Sequence, residues 1–584
     1  MREHQEHRFC THDGVELFYR HWAPTVPCSD KPRKAILLFH RGHEHSGRMA
    51  HLVEELDLPT FDFFAWDARG HGLSPGARGD SPSFSKSVRD VQTFCEHIDA
   101  TYCIATDNLA VIAQSVGAVI VATWVHDYAP KIRALVLASP AFKVKLYLPL
   151  ARIGLALMRT FRGNFFVRSY VKARFLSHDR ERVASYNTDT LITQAISVNV
   201  LLGVCEAADR VVADAQAIQV PTQLLISGSD FVVHRKPQQK FFDRLGSLKK
   251  ELHILPGFFH DTLGERDRAV ALKSTKRFIL HNFDSSLDCA SLLDADKIGA
   301  TCAESEALAA PLVPNSLCDL YWRMARASLR LGGMMSEGIK LGFDTGFDSG
   351  STLDYVYRNE PAGKGALGRR IDANYLKSIG WLGIRQRKLN IEELLRLAMA
   401  KLRLEGREVH LVDIAAGHGR YILDALDTVT PLPESVLLRD YSDINVEKGC
   451  ALIREKGLAH RAQFIKGDAF DQSSLAALEA KQTLAVVSGL YELFADNAMV
   501  GGSLAGLADA VEPGGYLVYT GQPWHPQLEL IARVLTSHRQ GLPWVMRRRS
   551  QAEMDQLVEA AGFRKITQRV DEWGIFTVSL AQKA

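Results

Sequence analysis

With 584 residues, 46% of them apolar and 23% charged, the chain is too long for a single core and falls in the soluble globular class, so two to four domains are expected. Its 70 basic and 67 acidic residues leave a net charge of +3, which excludes the global positive field of a nucleic-acid binder and confines any basic surface to a local patch. The nine cysteines, at positions 10, 28, 95, 103, 205, 289, 302, 318 and 450, form no C-x-x-C pair, and the first residues lack the apolar core of a signal peptide. A cytoplasmic protein with reduced thiols, no zinc site and no disulfide frame is the expectation.

In the first half, strand-like runs at Ala35–Phe39, Asp62–Trp66, Leu109–Ala113, Ala134–Ala138, Gln223–Ser227 and Glu251–Leu255 alternate with amphipathic helical stretches, the pattern of an α/β domain with a mostly parallel sheet. The apolar stretch Leu109–Val125 is too short for a membrane span and carries Gln114 and Ser115 at its middle, so it reads as strand, turn and helix. That turn, Ala113-Gln114-Ser115-Val116-Gly117, has the context of a nucleophile elbow, in which a tight strand-to-helix bend pushes the serine out and small residues flank it. Asp230 follows a later strand and His260 follows the next, which completes the order serine, acid, histidine. A neutral serine needs a base within reach, and the base needs an anion to hold its tautomer; Ser115, His260 and Asp230 fill these roles. Asp261, adjacent to His260 in sequence, is poorly placed to orient that ring.

These segments, together with Phe39 to Arg48 and Trp66-Asp67-Ala68-Arg69-Gly70-His71-Gly72, resemble the serine hydrolases of the monoacylglycerol lipase and bacterial lysophospholipase family over roughly residues 1–282. The resemblance implies an α/β-hydrolase fold, an acyl-ester or lipid-like substrate, an oxyanion hole from the amides of Gly42 and Val116, and a lid at about 141–220. Asp67 and His71 are expected to hold loops. Arg41, His43 and Ala113 stand where the family usually has glycine. The first part of the lid, residues 142–182, holds ten Lys or Arg against two acids, interleaved with Leu146, Tyr147, Leu148, Leu150, Ile153, Leu157, Phe161 and other apolar residues. Such a segment suits peripheral contact with an anionic membrane; its aliphatic character does not suit nucleic acid.

Patterning stops between Phe283 and Asn315, in a segment with six acids, one lysine and two prolines that reads as a linker. Beyond it, a helical stretch over 316–402 reads as a cap, and strands are expected at Val409–Ile414, Ser435–Asp440, Ala462–Lys466, Leu484–Ser488 and Gly515–Thr520. The first of these ends in Asp413 and runs into a small-residue turn, Ala415-Ala416-Gly417-His418-Gly419, which lets a ligand approach the backbone closely. Asp440 ends the next strand about twenty residues on, where an acid meets ribose hydroxyls, and Asp468-Ala469 follows the third. Rossmann dinucleotide binding competes for this pattern. The arrangement from Asp413 to Gly419, with Pro513-Gly514-Gly515 and Ala561-Gly562-Phe563, resembles the class I methyltransferases dependent on S-adenosyl-L-methionine (SAM), with a Rossmann-like fold over 403–584. The resemblance implies SAM as cofactor, with Gly417 and Gly419 at its methionine part, Asp440 at the ribose, and Asp468 with Ala469 at the adenine; Asp413, Ala415 and Tyr441 are further cofactor-binding candidates, and packing is the competing reading of Tyr441. Tyr357, Tyr491, Glu492 and His525 are candidate residues on the acceptor side. The expected protein is a bifunctional serine esterase and methyltransferase acting on lipid-like molecules; the alternative is a methyltransferase whose hydrolase half serves as a membrane- or lipid-docking module.

Overall fold

The computed structural model describes residues 2–26, 32–147, 150–287, 289–478, 481–539 and 541–584; Cys28 and Leu148 lie outside them. The eight described cysteines are unbridged. The chain divides into two compact units, residues 1–290 and 291–584.

In the first unit the strands are β1 (Gln5–Cys10), β2 (Glu16–Trp22), β3 (Lys34–Phe39), β4 (Phe61–Trp66), β5 (Leu109–Gln114), β6 (Ala134–Ala138), a short lid pair β7 (Phe166–Arg168) and β8 (Ala195–Ser197), β9 (Thr222–Ser227) and β10 (Lys250–Leu255). Eight of them form one sheet in the order β1-β2-β4-β3-β5-β6-β9-β10, antiparallel at β1, β2 and β4 and parallel from β4 onward. The antiparallel pair β1 and β2 is absent from the sequence reading, because its His, Arg and Glu residues dilute the apolar alternation. Strands β4, β5, β6 and β9 are buried along their whole length, as a sheet covered on both faces demands. The order reverses between β3 and β5, and at such a switch point a crevice opens beyond the carboxyl ends of the strands. The loops after β3, β5, β9 and β10 all emerge at that edge.

In the second unit β11 (His410–Asp413), β12 (Ser435–Asp440), β13 (Ala462–Lys466), β14 (Gln482–Val487), β15 (Val511–Gly521), β16 (Phe563–Val570) and β17 (Thr577–Lys583) form a sheet in the order β13-β12-β11-β14-β15-β17-β16, with only β17 antiparallel to its neighbours. Its switch point lies between β11 and β14. Helices from Leu317 to Leu404 precede the sheet, the longest being Ile379–Leu404, whose Ile391, Leu394, Leu395, Ala398, Met399 and Leu402 enter the core, with the helix packed chiefly against β17 and β15.

The segment 283–315 is not the bare linker its composition suggests. The division between units falls inside it, at 290/291, and Ala300–Ala309 is a helix of the second unit. Two of three consecutive arginines hold it there. Arg547 donates to the Ala295 carbonyl and to Thr301 Oγ1, and Arg548 pairs with Glu304. Arg549 donates instead to the carbonyls of Tyr491 and Phe494, beside them. The acids that read as linker polarity are partly ion-pair partners. Among the described residues, no helix is long and apolar enough to cross a membrane.

Candidate active sites

In the first unit, β5 delivers Ser115 into a bend with φ 55° and ψ −116°, a region that costs a non-glycine residue free energy. The bend is held by its neighbours: the Ser115 amide donates to the Ala138 carbonyl at 3.0 Å and its own carbonyl accepts from the Ala141 amide at 3.1 Å. Gly117 must be glycine, because a Cβ there would lie 2.3 Å from the His40 carbonyl oxygen. Ser115 Oγ stands 2.7 Å from His260 Nε2, and His260 Nδ1 stands 2.8 Å from Asp230 Oδ2. The other Asp230 oxygen accepts from the amides of Val232 and Val233 at 2.7 and 3.0 Å. Burial pushes the Asp230 carboxyl up, but His260 and those two amides outweigh it and hold it below its ordinary range. It is therefore an anion at neutral pH, placed to accept a hydrogen bond from His260 Nδ1.

Gly42 lies after β3, with its Cα hydrogen side turned to Val116: a Cβ on Gly42 would meet Val116 Cγ2 at 3.1 Å. Both residues, with Ser115 and His260, line a cavity of about 550 Å³ whose other walls include Leu146, Leu155, Met158 and Leu201. Arg41, placed where the family favours glycine, does not leave an unpaired charge at the mouth. It is buried, donates to both Glu44 oxygens at 2.6 and 2.7 Å, and stands 3.7 Å from Asp261. Asp261 is bound by Arg182 and Gln114 and turns away from the His260 ring, so it braces the lid and not the base. Asp67 accepts from the Ser46 and Leu73 amides and holds their loops.

In the second unit the turn after β11 has Gly417 at φ 58° and Gly419 at φ 74°; a Cβ on Gly419 would lie 2.5 Å from Leu438 Cδ1. Asp440 Oδ2 accepts from the Gly417 amide at 2.9 Å, while Oδ1 accepts from the Ser442 amide and Asn445 Nδ2. Tyr441 is 75% exposed at the rim and Asp468 is exposed. Ala469 is buried with its carbonyl accepting from Ser503 Oγ. Ala415, Gly417 and Gly419 line a small gap of about 30 Å³ under the cap helix Gly350–Arg358, whose Asp354 pairs with Arg420 at 2.6 Å. Asp413, read from sequence as touching the cofactor, is instead wholly buried: Tyr421 Oη and the Ala415 amide donate to its two oxygens, so it braces the turn from behind. Burial raises its carboxyl to about 7. The donor set suits SAM in kind: a turn with glycines at its bends, an oriented and partly open carboxylate at the end of β12, and an exposed acid after β13.

Beyond the cap lies a larger cavity of about 350 Å³ with Glu492 and His525 in its wall. Tyr357 lines the small gap instead, and Tyr491 packs in the core with its hydroxyl on Ser503. Sequence reasoning passed over Gln522 and Trp544, which also line the large cavity, and named Arg387, a further wall residue, only as one of several basic residues of the cap segment. A signal existed for Arg387: it occupies an apolar slot in the helical series Trp381, Ile384, Ile391, Leu394.

A hydrolase unit whose serine, histidine and acid meet at a switch point, and a methyltransferase-type unit with its glycine turn at another, define a fusion of two enzyme classes. The family profile described as "Serine aminopeptidase, S33" matches residues 30–267 and the profile described as "Putative methyltransferase" matches residues 275–583. The chain belongs to the latter family. It is 56% identical over 576 residues to YnbC, an uncharacterized protein of Escherichia coli K12, across 99% of this chain and 98% of that protein. The monoacylglycerol lipase of Mycolicibacterium smegmatis is 24% identical over 284 residues, 47% of this chain and 96% of the lipase. The monoglyceride lipase of Mus musculus is 28% identical over 258 residues, 42% of this chain and 80% of the lipase.

Proposed function

We propose that the chain is a bifunctional enzyme that hydrolyses carboxylic esters of lipid-like molecules at Ser115 and transfers a methyl group from SAM in its second unit. The observation that carries the hydrolase reading is the unbroken chain from Ser115 Oγ to His260 to Asp230, at 2.7 and 2.8 Å, opening into an apolar cavity. Ser115 attacks the ester carbonyl while His260 Nε2 takes its proton; His260 then gives that proton to the leaving alcohol, and water releases the acid from the acyl-serine by the same route. Asp230 holds the imidazole tautomer and stabilises the imidazolium. The amides of Gly42 and Val116 face the developing oxyanion. The lipase relatives and the apolar cavity walls support an acyl-chain substrate.

For the methyltransferase, SAM supplies an electrophilic methyl group on a sulfonium. Gly417 and Gly419 would accommodate its methionine part, Asp440 would hold the ribose, and Asp468 with Ala469 would meet the adenine. The lid supports a further reading, contact with an anionic membrane. Its helix Ala151–Arg162 has no buried residue, and Ile153, Leu157 and Phe161 are 58%, 57% and 85% exposed beside Arg159 and Arg162.

A fluorophosphonate probe on the purified chain is expected to label Ser115, with labelling and monoacylglycerol hydrolysis both lost in Ser115→Ala. Retained hydrolysis in that variant would sink the nucleophile assignment. Calorimetry is expected to show SAM binding that Asp440→Ala weakens; no heat with the unmodified protein removes the methyltransferase reading.

A further inference from the structure

The apolar cavity beside the glycine turn combines a greasy wall with buried polar atoms that nothing described in the second unit satisfies. Trp381, Trp544, Ile384 and Phe576 supply much of its surface. Into it come Arg387, Glu492 and Gln522, each more than nine-tenths buried. Arg387 Nε, Gln522 Nε2, Trp544 Nε1, Glu492 Oε2 and Tyr375 Oη find no hydrogen-bond partner among the described residues. A buried polar atom without a partner costs free energy, and a cluster of them around one cavity points to a ligand that supplies the partners.

The chemistry of that ligand follows from the inventory. Of the five open atoms, three are donors, Glu492 Oε2 is an acceptor, and the Tyr375 hydroxyl can serve as either. A hydroxyl answers Glu492 Oε2 with its one proton and two of the donors with its lone pairs. The formal charges of Arg387 and Glu492 already face each other at 3.8 Å, and the other Glu492 oxygen accepts from Thr520 Oγ1 at 3.1 Å. A charged ligand would be opposed by one member of that pair and would lose its hydration against the apolar wall. His525 adds no charge: its Nδ1 accepts from the Gln527 amide, and burial lowers the ring to about 4. The cavity volume of about 350 Å³ sits at the small end of ligand sites. Leu353 and Arg387 line both this cavity and the gap at Gly417 and Gly419, so a hydroxyl held at Glu492 lies toward the donor side.

We propose that this cavity binds a small, uncharged, apolar alcohol or phenol as the methyl acceptor, and that Glu492 recognises its O–H and takes the proton. This rests on the methyltransferase reading above. In the transfer, an oxygen lone pair of the acceptor forms the new O–C bond, the S–C bond of the methyl sulfonium donor breaks with its electron pair passing to sulfur, and the hydroxyl proton goes to Glu492 Oε2. The products are a methyl ether, a neutral thioether and a protonated carboxyl. Arg387 positions Glu492.

The test is binding without the sulfonium donor, read by quenching of tryptophan fluorescence in the full chain, with 4-butylphenol, 4-butyltoluene and 4-butylbenzoate as probes. The phenol is expected to bind at least tenfold tighter than either of the others. Glu492→Gln is expected to bring the benzoate to the front of the ranking, because Arg387 then stands unopposed. Leu530→Trp, which fills the cavity from a partly exposed wall position, is expected to weaken the phenol at least tenfold while SAM binding persists. Circular dichroism checks that each variant is folded, and the ranking in the unmodified chain stands even where a variant is not. Equal binding of phenol and toluene, or a preference for benzoate in the unmodified chain, overturns the proposal. SAM binding without phenol selectivity rejects the acceptor assignment alone; phenol selectivity without SAM binding rejects the methyltransferase reading and leaves a hydroxyl-ligand site.

Discussion

Two buried acids of similar sequence context do opposite work, and their partners decide which. Asp230 receives two amides and an imidazole, and stays ionised below its ordinary range. Asp413 is buried behind the glycine turn with only a tyrosine hydroxyl and one amide, and its carboxyl rises from 3.8 to about 7. The folded state therefore holds a proton on Asp413 that the unfolded chain has lost between those two values. The second unit consequently loses stability as pH rises from about 4 to 7 and loses no more from this group above that. Asp413→Asn carries no such ionisation, so its stability relative to the unmodified chain is expected to rise by about 2–4 kcal/mol between pH 4.5 and 8. Thermal or denaturant unfolding at both pH values measures this, and an unchanged difference would show that Asp413 is ionised in the fold. In the hydrolase unit, Asp230→Asn is expected to lower ester turnover by roughly 10⁴-fold, through loss of the tautomer and of the imidazolium's partner. A loss under tenfold would mean that another acid orients His260.

Among the elements, the lid helix Ala151–Arg162 is unusual in presenting apolar side chains on two faces. Leu155 and Met158 line the cavity at Ser115 while Ile153, Leu157 and Phe161 are exposed. Lining the cavity accounts for the first set; on the membrane reading proposed above, an apolar phase covers the other. Removing one outward aromatic from such contact forfeits about 1.5–3 kcal/mol of apolar transfer. Phe161→Asp is thus expected to lower partition onto vesicles of anionic phospholipid by at least about tenfold, with hydrolysis of a soluble short-chain ester preserved. Unchanged vesicle binding would remove the membrane reading of the lid. The cap helix Gly350–Arg358 acts only locally by contrast, since the pairing of Asp354 with Arg420 seats it over the glycine turn.

For the whole molecule, the boundary matters more than the linker composition suggested. Because Arg547 and Arg548 tether residues 295–304 to the second unit, limited proteolysis is expected to cut near 285–291 and to leave a C-terminal fragment that keeps the helix Ala300–Ala309. A stable fragment beginning after 310 would contradict that assignment. The two units have separate hydrophobic cores, so Ser115→Ala is expected to leave SAM binding intact.

Much of this was legible without coordinates wherever short-range rules apply. Strands such as β6, β12 and β13 announce themselves by apolar runs with the residues that end them. Ser115 and Gly417 sit on turns whose steric demands are local, so small neighbours betray them. What the chain alone determined is therefore two α/β units with a serine, an acid and a histidine in hydrolase order, and a glycine turn with acids beyond it. Distances between residues 30 to 145 positions apart were decided by tertiary packing, as were the burial that turns Asp413 from ligand to brace and the capture of an acidic segment by Arg547 and Arg548. The cavity at Glu492 was hidden for the same reason: its wall draws on residues from 329 to 576, which only the folded sheet and cap bring together.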